Sequence, residues 1–159
     1  MLRTRLTNCL LIIIILMALC GLLIYSWGLP YYGQGIINSY PEFSHWYWPW
    51  LIFLWCTGVP CYIVLYFMGK ILQSVRKGNA FTEDNAQRFK RIAQVTAADV
   101  ALFLAGNIVF MLLNMNHPSV LLCSLGIAFV GVVIAVVSLA FSHLTLRAAA
   151  LQEQYDLTI

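Results

Sequence analysis

Long apolar runs separated by short polar connections dominate the chain. Four runs stand out, at about 9–27, 48–72, 92–113 and 120–142. Each reaches the roughly 20 residues that a helix needs to cross the hydrocarbon of a bilayer. Lipid offers no hydrogen-bonding partner to a bare backbone, so spans of this length must be helical. The pattern predicts an all-α, polytopic membrane protein. Its four transmembrane helices form one domain over residues 1–159 and pack as a four-helix bundle. The first run has the apolarity of a secretory signal. It is long, however, no small-x-small cleavage site follows it, and three more runs come after, so it is expected to be a retained span.

The polar connections carry helix signals of their own. In the 73–91 segment Gly78-Asn79 marks a turn, Thr82 is a good N-cap, and Glu83 and Asp84 fill the first turn, where the helix dipole favours acids. This predicts a cytoplasmic helical hairpin between spans two and three. The 143–159 tail continues through Arg147-Ala-Ala-Ala-Leu, strong helix formers, and predicts a helical extension of span four.

Composition narrows the class. The residues are 62% hydrophobic and only 9% charged, against about a quarter charged in soluble domains. The nine Lys and Arg residues are Arg3, Arg5, Lys70, Arg76, Lys77, Arg88, Lys90, Arg91 and Arg147, and all fall on one side of a four-span layout. The positive-inside rule makes that side cytoplasmic, with both termini in the cytoplasm. The partner implied by composition is the lipid bilayer. No long basic arm is present, so direct nucleic-acid contact is not expected. Trp27, Trp46, Trp48, Trp50, Tyr31, Tyr32, Tyr40 and Tyr47 cluster around the opposite loop. They form an interfacial belt, with an aromatic cage as the alternative.

Candidate chemistry is sparse. Asp99 is an acid about two turns inside the cytoplasmic end of span three and is costly in lipid, though water can reach that depth. With Thr96 and Asn107 it forms the candidate intramembrane polar site. One reading makes it a proton or cation site, or a switchable contact between helices. The other makes it a carboxyl bonded to Thr96, Asn107 or a hydroxyl of span four. Gly58 and Pro60 predict a bend in span two, a static kink more readily than a gate, with Thr57 covering the freed carbonyl. Ser124, Ala128, Gly131, Ala135, Ser138 and Ser142 recur at helical spacing as a small-residue packing stripe on span four. That stripe serves contact within the bundle or a homodimer. Cys9, Cys20, Cys56, Cys61 and Cys123 lie in apolar stretches and are expected as small buried hydrophobes. His45 and His117 lack an obvious third ligand, so no metal site is expected. There is no Cys-x-x-Cys pair, no Gly-rich phosphate loop and no second acid to partner Asp99. The sequence predicts a non-enzymatic protein without a cofactor.

Two stretches resemble a known family. Gly78-Asn-Ala-Phe-Thr-Glu-Asp-Asn-Ala-Gln-Arg-Phe-Lys-Arg-Ile92 and the terminal Glu153-Gln-Tyr-Asp-Leu-Thr-Ile159 are similar to the inner loop and ending of the bacterial membrane family called domain of unknown function 2975. The resemblance implies a bacterial inner-membrane protein. It also implies the company of a small helix-turn-helix transcription regulator, which the protein would hold or release at the membrane. The family-matching positions are Phe81, Thr82, Glu83, Asn85, Arg88, Asp156, Leu157, Thr158 and Ile159. Together with the cations Arg76, Lys77, Lys90 and Arg91 they are the candidate contacts for a cytosolic partner or for lipid headgroups. The expected function is a membrane anchor or sensor that binds a cytosolic regulator. The alternative is a small proton- or ion-coupled transporter or channel subunit that uses Asp99 and works as a dimer.

Overall fold

In the computed structural model the first apolar helix does not stop at Trp27. The described backbone covers residues 2–156, and side chains are described for residues 5–154. Helix α1 (Leu2–Leu23) passes through a π turn (Ile24–Gly28) directly into α2 (Leu29–Ser39), and a 3-10 segment (Pro41–Trp46) then leads into α3 (Tyr47–Arg76). The region between spans one and two, expected as a loop, is therefore helical almost throughout. Pro30 and two nearby glycines argue for a loop from sequence. Yet Pro30 falls in the first turn of α2, a position that proline tolerates. Two further helices complete the chain, α4 (Glu83–Leu112) and the 39-residue α5 (Pro118–Asp156). Four helices are long and apolar enough to cross a membrane, and every described element is helical.

The connections between spans two and three and between three and four end their helices in the same way. Gly78 has φ +92°, with its N–H on the Val75 carbonyl and the Asn79 N–H on the Ser74 carbonyl. Asn114 has φ 56°, with its N–H on the Met111 carbonyl and the Met115 N–H on the Phe110 carbonyl. Both are Schellman caps, which need a left-handed residue just past the helix end. Glycine meets that need at Gly78, and asparagine, the best non-glycine substitute, meets it at Asn114. Thr82 caps α4, accepting from the Asn85 N–H at 3.3 Å.

The four long helices do not close into a bundle. Among the described residues α1 packs on α3, α3 on α4 and α4 on α5, with no close backbone approach between α1 and α4, α1 and α5, or α3 and α5. They form a single antiparallel row. The accessible surface is 11282 Å² for an 18.0 kDa chain, whereas a compact fold of that mass exposes about 8,000 Å². The solvent explains the open shape. Lipid tails are as apolar as leucine, so no hydrophobic force closes the row, and helices meet only where small residues or polar atoms draw them together. The five cysteines illustrate the point. Expected in the interior, all are free and exposed on helix surfaces, where lipid accepts a small apolar thiol as readily as a core would.

Each contact in the row has such a cause. Between α1 and α3, the Tyr62 hydroxyl donates to the Ala18 carbonyl at 3.1 Å, and Gly58 makes room for the Tyr25 ring. Gly58 is thus a packing site, while α3 runs through Pro60 as one helix. Thr57 donates to the Leu54 carbonyl at 3.0 Å, not to the Cys56 carbonyl that Pro60 releases. Between α3 and α4, Gly106 admits the Phe53 ring, which stacks on Phe103 and meets Phe110 edge-on. Between α4 and α5, Gly131 receives the Val100 side chain, and the buried Ser142 hydroxyl donates to the Ala86 carbonyl at 2.7 Å.

Candidate functional sites at the cationic and aromatic ends

The antiparallel row gives the molecule two ends. Lys70, Arg76, Lys77, Arg88, Lys90, Arg91 and Arg147 gather at one, where α3 leaves, α4 begins and α5 projects. There the Lys70 ammonium lies 5.5 Å from the Tyr66 ring centre and the Arg91 guanidinium 5.9 Å from that of Phe67. The turn between α3 and α4 is organised by Asn85, which is 0% exposed. Its Nδ2 donates to the carbonyls of Asn79 and Ala80, each at 3.0 Å. Its Oδ1 accepts from the Arg88 guanidinium at 2.8 Å. One side chain therefore holds the turn to the first coil of α4. Ser74 adds a bond from its hydroxyl to the Asn79 carbonyl at 2.8 Å.

This divides the partner-contact candidates. Asn85, Thr82 and Arg88 are engaged inside the turn. Phe81, Glu83, Arg76, Lys77, Lys90 and Arg91 are exposed around it. A cleft of about 320 Å³ opens between the turn and the projecting end of α5, lined by Gly78, Asn79, Phe81, Thr82, Ala149, Gln152 and Glu153. Leu157, Thr158 and Ile159, and the side chain of Asp156, lie outside the described residues.

The structure does not unite the intramembrane polar candidates. Asp99 Oδ1 and Thr96 Oγ1 are both enclosed without a hydrogen-bond partner. The Asp99 carboxyl lies within electrostatic reach of the Cys61 thiol and the Tyr25 hydroxyl, so it faces α3 and the π turn. Asn107 sits about 12 Å further along the helix and has different company. Its Nδ2 donates to the Phe103 carbonyl at 2.8 Å, and its Oδ1 accepts from Asn116 Nδ2 at 3.2 Å. The stripe on α5 lies along the seam with α4. Ser124, Ala128 and Ser138 are buried there, and Gly131 and Ala135 are half-buried. Thr145, which continues the stripe beyond the membrane run, is also buried and went unnoticed in the sequence because it lies in the tail.

At the opposite end the aromatic residues do more than line a surface. The Trp50 indole donates to the Met115 carbonyl at 3.1 Å and packs 4.8 Å from Phe110, which pins the α4–α5 turn to α3. With α2 and the 3-10 segment, Trp50 and Met115 line a cavity of about 620 Å³. Sequence gave no sign of it, because it depends on α2 being a helix. Among the described residues no group of three His, Cys, Asp or Glu side chains is placed to hold a metal ion.

Comparison with known proteins agrees with this architecture. The chain is 29% identical over 110 residues to an uncharacterized membrane protein, YoaS, of Bacillus subtilis (strain 168), covering 68% of this chain and 69% of that one. No solved structure matches the chain. The family model described as protein of unknown function (DUF2975) matches residues 32–159, which include the turn held by Asn85, the α4–α5 hairpin and the tail. This membrane protein belongs to the DUF2975 family.

Proposed function

We infer that the protein is a membrane anchor or sensor whose cationic end lies in the cytoplasm and binds a soluble protein there. A small helix-turn-helix transcription regulator, the companion implied by the family resemblance, is the partner of choice. The observation that carries this reading is the construction of that end. The buried Asn85 fixes a tight turn outside the apolar spans, and the turn presents Phe81, 56% exposed, beside a cleft completed by α5. A large aromatic side chain held out on a rigid polar turn gains from covering by a partner. Fixing the turn in advance lowers the ordering cost of association. Two arrangements of the row with different affinity for the regulator would make the anchor a sensor.

The test is purification in mild detergent from native membranes, with identification of what accompanies the chain. A soluble regulator that accompanies the parent protein and is lost from Phe81→Ala and from Gln152→Arg supports the reading. Its retention by both variants contradicts it.

A second reading has one observation in its favour. Asp99 Oδ1 and Thr96 Oγ1 are enclosed within the spans without partners, and the Asp99 carboxyl lies within electrostatic reach of Cys61 and Tyr25. An ion- or proton-coupled carrier subunit could use them. A single row of four helices encloses no conduit, so this reading requires a second copy of the chain. Ion flux into liposomes that is lost in Asp99→Asn supports it, and equal flux through protein and empty liposomes contradicts it.

A further inference from the structure

We propose that the cavity at the aromatic end is a binding site for a neutral lipophilic molecule, an apolar body carrying one hydroxyl or carbonyl group. Its size of about 620 Å³ falls within the span of small-molecule sites, about 300–1,000 Å³. The walls are apolar and come from four elements. Ile36 of α2, Phe43 and Trp46 of the 3-10 segment, and Trp50 and Leu54 of α3 face the α4–α5 turn across it.

Charge selects the ligand class. Every Lys and Arg of the chain belongs to the other end of the row or to the N-terminal stretch beside it, so no cation is at hand for a carboxylate or phosphate. Glu42, the acid in the neighbouring 3-10 segment, is not part of the wall, so a cationic ligand would meet no counter-charge. A charged group buried here would lose its hydration without a partner.

The hydrogen-bonding groups that remain define the polar part of the ligand. The Trp50 indole N–H is committed to Met115, and the Tyr47 hydroxyl donates to the Pro30 carbonyl at 3.4 Å. His117 Nδ1 accepts from the Ser119 backbone N–H at 3.3 Å. In the neutral ring this leaves the proton on Nε2, a donor for a ligand oxygen. Asn116 uses Nδ2 on Asn107, which leaves its side-chain oxygen to accept from a ligand hydroxyl. Asn114, Tyr32 and Trp46 also border the cavity, so a few neutral donors and acceptors on a wall of aromatic and aliphatic carbon suit an alcohol or a ketone.

Asn116 also joins the site to the interior of α4 through Asn107, so occupancy bears directly on the central helix of the row. The site stands independently of docking at the cationic end, and the failure of either leaves the other in place.

The experiment is photolabelling of the full chain in phosphatidylcholine nanodiscs. The probe is a decanol carrying an aliphatic diazirine, with attachment sites mapped by mass spectrometry. The expected labelling saturates, is displaced by unlabelled decanol, and falls within residues 29–54 and 114–120. Carboxylate and trimethylammonium probes of equal length should label about tenfold less. Ile36→Trp, which fills the cavity from the half-exposed α2, should lower labelling about tenfold, and His117→Phe should raise the half-saturating concentration about fivefold. Four results overturn the proposal: labelling that grows linearly and spreads along the lipid-facing sides of α1 and α5; a charged probe that outcompetes decanol; a co-purified phospholipid at the site that decanol fails to displace; and undiminished labelling of a folded Ile36→Trp protein.

Discussion

The Trp55 indole donates a hydrogen bond to the Tyr25 carbonyl at 2.9 Å, and that carbonyl has no other route to satisfaction along its own helix. In an α-helical register its donor would be Leu29, but the Leu29 N–H bonds the Ile24 carbonyl in the π turn. In the π register its donor would be residue 30, which is proline and has no N–H. A side chain from the neighbouring helix supplies what the backbone withholds, the usual condition for a helix irregularity at membrane depth. Trp55→Phe should therefore lower stability by about 1–3 kcal/mol. SDS-induced unfolding in mixed micelles measures it. In a Pro30→Ala background the loss should shrink, because residue 30 regains a donor and the double-mutant cycle shows coupling.

Asn85 makes a second case. It is enclosed, with both amide hydrogens on backbone carbonyls and its oxygen on Arg88. Asn85→Asp keeps the size and the acceptor but removes the donors, leaving the Ala80 carbonyl without one and the Asn79 carbonyl with only the Ser74 hydroxyl. The expected cost is about 1–3 kcal/mol. It should be local, seen as faster trypsin cleavage at Arg76 and Lys77 while the membrane helices keep their circular-dichroism signal.

Close approach of α3 and α4 rests on Gly106. A Cβ at that position would enter the Phe53 ring. Gly106→Val should destabilise by about 1–3 kcal/mol, the usual cost of overpacking. Combining it with Phe53→Ala should recover part of the loss. Thermal unfolding in detergent of the two single variants and the double variant checks this.

How much of this was legible in the sequence depends on how local the cause is. The spans, the Gly78 turn, the Thr82 cap and the small stripe of α5 are written in neighbouring residues. Hydropathy, φ preference and helical spacing recover them. The α2 helix was hidden because Pro30, Gly33 and Gly35 read as loop residues, and only the π turn and Trp55 make a helix there workable. The open row was hidden as well. Sequence shows that four helices exist, but which faces meet depends on pairs such as Gly106 with Phe53 and Gly131 with Val100, far apart along the chain. Asn107 was assigned to the company of Asp99 from shared polarity on one helix. Its partner is Asn116, beyond the turn, and the turn geometry decides that.

Asp99 offers a sign test. Its enclosed oxygen has no hydrogen-bond partner, so replacing it removes a desolvation cost and breaks no bond. Asp99→Leu should fold with a thermal midpoint equal to or above that of the parent. A marked fall, by scanning calorimetry or fluorescence in detergent, would show a stabilising contact at that carboxyl.

A regulator in the cytosol can meet the turn at Gly78 only if that turn faces the cytosol. In a chain freed of its five cysteines, single cysteines at Lys77, Glu153 and Gln34 are exposed in intact cells to a thiol reagent that cannot cross the membrane. Gln34→Cys should be labelled in intact cells, and Lys77→Cys and Glu153→Cys only after lysis. Labelling of Lys77→Cys or Glu153→Cys before lysis would contradict a cytoplasmic placement of the cationic end.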